Sequence, residues 1–137
     1  PEYILNKPGP LTPDEREIVQ RHVSIAEAII NQMPFLRRVA PIILHHHEAF
    51  DGSGYPHRLR GEEIPFESRI LAIADAFHAM TSDRPYRQAM KTEEAIEQLR
   101  TLAGKQFDPH LVPVFVKLIE NKMINTITPA LKNAKNS

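Results

Sequence analysis

Apolar positions in the first third of the chain recur at helical spacing. Ile18, Ile25 and Ile29, with Ala26, fall on one stripe, and His22 lies on it one turn after Ile18. The start of this helix is written in Thr12-Pro13-Asp14-Glu15: Thr12 can cap, Pro13 suits the first helical position, and Glu15 closes a capping box. The helix is expected to run to about Gln32. Before it, Lys7-Pro8-Gly9-Pro10 forbids regular structure. A second helix is predicted from about Phe35 to Phe50, with Val39, Ile42 and Ile43 apolar; Pro41 either kinks it or marks its true start. Asp51 to Pro65 reads as a loop built on Gly52, Gly54, Pro56 and Gly61, and connections of that length are often functional.

Phe66 to about Thr81 is predicted as a third helix. Its middle is apolar or small on nearly every side, so it is expected to be the central and most buried element. Asp75 and His78 lie within it, one turn apart. Thr92-Glu93-Glu94 opens a fourth helix that reaches about Ala103 and is ended by Gly104. Asp108-Pro109 opens a fifth, running to about Asn121. No stretch alternates at period two, so the expected class is all-α, a bundle of about five helices. Residues 1–121 read as the domain. Residues 122–137 lose the pattern and are expected to form a partly disordered tail.

Composition narrows the function classes. Lys+Arg and Asp+Glu balance at 17 each, which argues against an extended electrostatic footprint for DNA or an anionic membrane. There is no cysteine, so thiolate metal sites are excluded. No apolar run approaches transmembrane length, no signal peptide is visible, and a cytoplasmic location is the default expectation. The first residue is Pro, and Pro1-Glu2-Tyr3-Ile4-Leu5 reads as the middle of something longer.

The chemistry concentrates in His45-His46-His47-Glu48-Ala49-Phe50-Asp51-Gly52-Ser53-Gly54-Tyr55-Pro56. Imidazole and carboxylate are ordinary ligands of zinc, iron and manganese. A buried aspartate in an apolar helix is costly unless paired or bound to metal, which brings in Asp75. Neighbours on a helix point about 100° apart, so one of His46 and His47 can face the third helix while the other faces the first, where His22 waits. Three helices then converge with His22, His46, His47 and Asp75, the way a helical bundle builds a metal site in its core. Singly, each has a plainer reading: His22 as a hydrogen-bonded core histidine, Asp75 as the partner of Arg69. His45 is expected to pack or to face solvent. Arg84 and Arg87 form a second cluster with the rigid donor fork that suits phosphate, or else a solvated turn. Tyr55 can stack on a base, bond a phosphate, or anchor the loop.

These residues, His46-His47-Glu48, Asp51-Gly52-x-Gly54-Tyr55-Pro56, Ile73-Ala74-Asp75 and Thr81-Ser82-Asp83-Arg84-Pro85-Tyr86-Arg87, resemble the HD-GYP family over about Tyr3 to Leu118. That family comprises helical bacterial signalling phosphodiesterases of the HD superfamily, which hydrolyse cyclic di-GMP and sometimes related cyclic dinucleotides. The resemblance implies metal ligands at His22, His46, His47 and Asp75. It implies substrate contacts at Tyr55, Arg84 and Arg87, with Glu48 and Asp51 supporting the ligands and ordering the loop. The implied cofactors are divalent metal ions, iron or manganese first, then zinc, magnesium or nickel. The implied chemistry is metal-assisted hydrolysis, with Arg84 meeting charge on the phosphoryl oxygens.

Three departures stand against the family pattern. The defining His-Asp pair, followed by a lysine, is expected immediately before Pro1, so the chain corresponds to the C-terminal portion and lacks the family's N-terminal helices. Ala26 stands where a glycine is usual, and His78 where an aspartate is usual. A homodimer over the face left by the missing helices is one expectation. A sensor or receiver domain in the parent protein is another. The competing functions are a degenerate module that binds nucleotide or a protein partner without turnover, and a phosphohydrolase of another phosphate ester.

Overall fold

The computed structural model describes residues 9–83 and 88–134. Among them are five α-helices and no strand: α1 (Pro13–Asn31), α2 (Ala40–Leu44), α3 (Phe66–Thr81), α4 (Thr92–Thr101) and α5 (Leu111–Ala134). Short 3-10 turns occupy Pro34–Leu36 and Gly61–Glu63. The all-α expectation holds.

Helix α1 begins as its sequence dictates. The Thr12 hydroxyl accepts from the Glu15 N–H, and the Glu15 carboxylate accepts from the Thr12 N–H at 2.8 Å. Two orphan amides of the first turn are thus satisfied. Its burial differs from expectation. Val23 is fully buried, whereas Ile18, Ile25 and Ile29 of the predicted stripe are exposed. Periodicity identified an apolar face; the described elements pack against a different one.

The second helix is far shorter than predicted. Pro41 lies in the first turn of α2, so it marks the true start, and the helix ends at Leu44. His45, His46 and His47 follow in tight turns. A helix reaching Phe50 is ruled out by tertiary bonds: the amides of Phe50 and Asp51 donate to the carbonyls of Gln106 and Lys105 at 3.1 and 2.8 Å. Those donors are spent on the α4–α5 connection and cannot continue a helix.

Helix α3 has the predicted bounds. Ile73 is buried, and the buried Ser68 donates its hydroxyl to the carbonyl of Ile42 at 3.0 Å, joining α3 to α2. Its other side is open, with Ile70, Leu71, Asp75 and His78 exposed, so it is not buried all round. The main core gathers Ile73, Ile96, Leu99, Phe107, Val112 and Val116 from α3, α4, α5 and the α4–α5 turn. Phe77 meets Phe115 edge-on at 5.5 Å. Gly104 takes φ +79, the left-handed conformation that stops the chain after α4. Asp108 caps the next helix by accepting from the His110 N–H, and it pairs with Arg69 at 2.7 Å. Asp75 is therefore not the partner of Arg69. Helix α5, expected to end near Asn121, continues to Ala134.

Candidate metal centre

The turn after α2 brings two histidine rings against a third on α1. The His46 and His47 ring centroids are 3.9 Å apart, and His22 lies 6.4 Å from the first and 5.2 Å from the second. Ligand atoms of the three rings fall within 4.8 Å of one another. Two rings are oriented by backbone. His22 Nδ1 meets the Val19 carbonyl, and His46 Nδ1 meets the Ile43 carbonyl at 2.6 Å. An Nδ1–H donated to a carbonyl leaves Nε2 as a bare lone pair, which is the form that binds a metal. The expectation that acidic residues orient these rings gives way here to backbone carbonyls.

Electrostatics keep the cluster receptive. Burial of His47, then the positive charge that His46 and His22 would carry, lowers its pKa to about 4, with Asp75 opposing. His47 is thus neutral at physiological pH. The donor set of three imidazoles fits a first-row divalent ion.

Asp75 shares the cavity wall with His46 and His47 but is not part of the 4.8 Å group. It is exposed, not buried as its apolar helix suggested. The two histidines do not divide between α3 and α1; both lie beside His22. The cavity measures about 690 Å³, and its lining includes Arg16, Tyr55 and Lys105. The Tyr55 ring stacks on His47 at 5.0 Å with 23° between planes. Burial, and then the negative charge of Asp75, raises the Tyr55 pKa, so the phenol keeps its proton as a donor. Arg84 and Arg87 lie outside the described residues.

Glu48 and Asp51 order the loop. Glu48 is 4% exposed, and its two oxygens accept from the amides of His57 and Leu59 at 2.7 and 3.1 Å. Asp51 accepts from the Ser53 N–H at 2.9 Å, and the Ser53 hydrogen bonds hold its carboxyl below the usual range. Gly54 is required by close approach: a Cβ there would sit 2.2 Å from the Ala49 nitrogen. Arg16 and Lys105 carried no local motif, and only the fold brings them to the cavity.

A helical chain with a histidine cluster at the edge of a cavity fits the metal-dependent HD class. The HD domain family matches residues 1–111, and the chain belongs to that family. A cyclic di-GMP phosphodiesterase of Thermotoga maritima is 46% identical over 120 residues, covering 86% of this chain and 33% of the relative. The cyclic di-GMP phosphodiesterase response regulator RpfG of Xanthomonas campestris pv. campestris is 43% identical over 119 residues, covering 85% and 32%. A 3'3'-cGAMP-specific phosphodiesterase of Vibrio cholerae is 40% identical over 119 residues, covering 85% and 23%. The chain thus spans about a third or less of the length of these curated relatives. Among solved structures, a cyclic GMP-AMP specific phosphodiesterase of V. cholerae superposes with a TM-score of 0.66 at 29% identity. That match covers 81% of this chain and 26% of the other. No helix among the described residues is long and apolar enough to cross a membrane.

Proposed function

We propose that this chain supplies the histidine wall of a divalent-metal phosphodiesterase site that takes cyclic di-GMP or a related cyclic dinucleotide. The carrying observation is the His22, His46 and His47 cluster, with the Nδ1 atoms of His22 and His46 against backbone carbonyls. His22, His46 and His47 would hold the metal, with Asp75 completing the set from the cavity wall. Iron or manganese heads the order of preference, and the bound metal supplies Lewis-acid polarisation and an activated water. Tyr55, with its proton retained, donates to a phosphate oxygen. Arg84 and Arg87 are assigned the charge of the phosphodiester, and Glu48 and Asp51 keep the loop in register. Relatives named for cyclic di-GMP and for 3'3'-cGAMP support the substrate class. In the parent protein we place a sensor or receiver domain beside this one, in the cytoplasm. The exposed apolar stripe of α1 favours pairing over that face, as in a homodimer.

The test combines metal content by mass spectrometry with cyclic di-GMP turnover by chromatography, for the chain and for its His46→Ala and Asp75→Ala variants. The reading expects bound iron or manganese that falls sharply in both variants, and product that falls with it. Metal-free protein, or metal content untouched by His46→Ala, overturns it. A second reading is a module that binds nucleotide without turnover. It is favoured by a 4.8 Å donor group that holds imidazoles and no carboxylate. Metal-loaded protein that binds cyclic di-GMP and leaves it intact selects this alternative.

A further inference from the structure

The run from His45 to Glu48 serves two sides. His46 and His47 face His22, while His45 and Glu48 meet His57 in the following loop. His45 Nδ1 lies 2.8 Å from the Pro41 carbonyl, which leaves Nε2 as a lone pair. That Nε2 is 3.1 Å from His57 Nδ1, and the two ring centroids are 5.3 Å apart. Glu48 stands beside them, with each oxygen accepting one backbone amide. A carboxylate oxygen has two lone pairs, so each keeps one for another partner. Ligand atoms of His45, Glu48 and His57 lie within 4.8 Å of one another, as do those of the three histidines of the first cluster.

We propose that His45, Glu48 and His57 form a second divalent-cation site, distinct from the His22 cluster, that takes zinc. Two imidazoles and one carboxylate, with water at a fourth position, are a familiar zinc set. His57 is exposed and Glu48 is buried, so the site opens to solvent on one side and is anchored on the other. The proton that now bridges His45 and His57 shifts to the outer nitrogen of His57 or leaves to water when zinc enters. Bound zinc ties the loop carrying Tyr55 to the histidine run. Glu48 is shared with the phosphodiesterase reading as a loop-ordering residue, but neither His45 nor His57 has a role there.

The test is zinc titration by calorimetry, paired with trypsin cleavage after the exposed Arg58 and Arg60. It uses the full chain, His22→Ala, and His22→Ala combined with His57→Ala. His22 and His57 are both exposed, and far-UV circular dichroism verifies that each variant keeps its helices. His22→Ala cripples the first cluster, so the zinc it retains reports the loop site. The expected result is that zinc protects Arg58 and Arg60 in His22→Ala, and that adding His57→Ala removes one zinc equivalent and the protection together. Zinc stoichiometry and cleavage rates unchanged by His57→Ala overturn the proposal. This outcome is separable from failure of the phosphodiesterase reading, which turns on His46 and Asp75 and not on His57.

Discussion

The two halves of the chain bury their apolar residues to different depths. In the C-terminal half, α3, α4 and α5 close around Leu99, Ile73 and Val112, all almost inaccessible. In the N-terminal half, α1 contributes the fully buried Val23 and leaves Ile25 and Ile29 more than half exposed. The cluster of His22, His46 and His47 lies on the seam between α1 and the turn after α2. The C-terminal half is held by packing and a buried ion pair, and the amides of Phe50 and Asp51 tie the turn after α2 to its α4–α5 connection; α1 meets that turn at the three imidazoles. The lesson is that the candidate centre joins a rigid wall to a lightly anchored one.

Substitutions sharpen that contrast, in descending order of expected effect, the first set beside a matching control. Arg69→Ala strands Asp108, which is 3% exposed, and is expected to cost about 3–5 kcal/mol in denaturant unfolding. The matching test in the other half, Arg21→Ala, breaks an exposed pair with Glu17 and is expected to cost only about 0.5 kcal/mol or less. Equal losses at the two sites would erase the distinction between the halves. Leu99→Ala opens a cavity in the packed half and is expected to cost about 2–5 kcal/mol.

The seam itself titrates. His47 has a folded pKa of about 4 against 6.5 for the free group, so the unfolded chain takes up the proton first. Its contribution to stability is complete above pH 6.5 and is lost as pH falls toward 4. In chelator, the urea midpoint should therefore drop across that window, and His47→Gln should flatten the slope; an unchanged slope in the variant would assign the loss to other groups. At the cap, Thr12→Ala is expected to cost about 1 kcal/mol, read as a lower melting temperature. An effect as small as that of Arg21→Ala belongs to Ile25→Ser on the exposed stripe, within about 0.5 kcal/mol for the isolated chain. A larger loss would mean that the stripe is covered in solution.

What the residues announced and what they withheld divides on the range of the signal. Thr12-Pro13-Asp14-Glu15 and Gly104 act on amides and carbonyls within a turn, so the start of α1 and the end of α4 were legible. The meeting of His22 with His46 and His47 was legible too, because histidines on an apolar stripe and in a run are conspicuous. The path after α2 was not, since the amides of Phe50 and Asp51 are taken by carbonyls of Gln106 and Lys105, some 55 residues away. Burial of Asp75 was inferred from its apolar neighbours, but a helix can carry apolar side chains on a side that nothing described here covers. His57 escaped notice because it has no helical register with His45 or Glu48; only the loop's return across Glu48 brings it near.

The position of His22 on α1 has a consequence for exchange of the backbone amides with solvent. An ion shared by His22 and the His46–His47 turn would bind only while α1 is docked, so occupancy and docking are linked by mass action. At a hundredfold excess over its dissociation constant, such an ion would contribute about 2.7 kcal/mol to the docked state. Deuterium uptake along α1 governed by undocking would then slow by about a hundredfold on loading, while amides under Leu99 stay near their global limit. Helix α1 would thereby serve as an internal gauge of the centre's occupancy, readable with no substrate present.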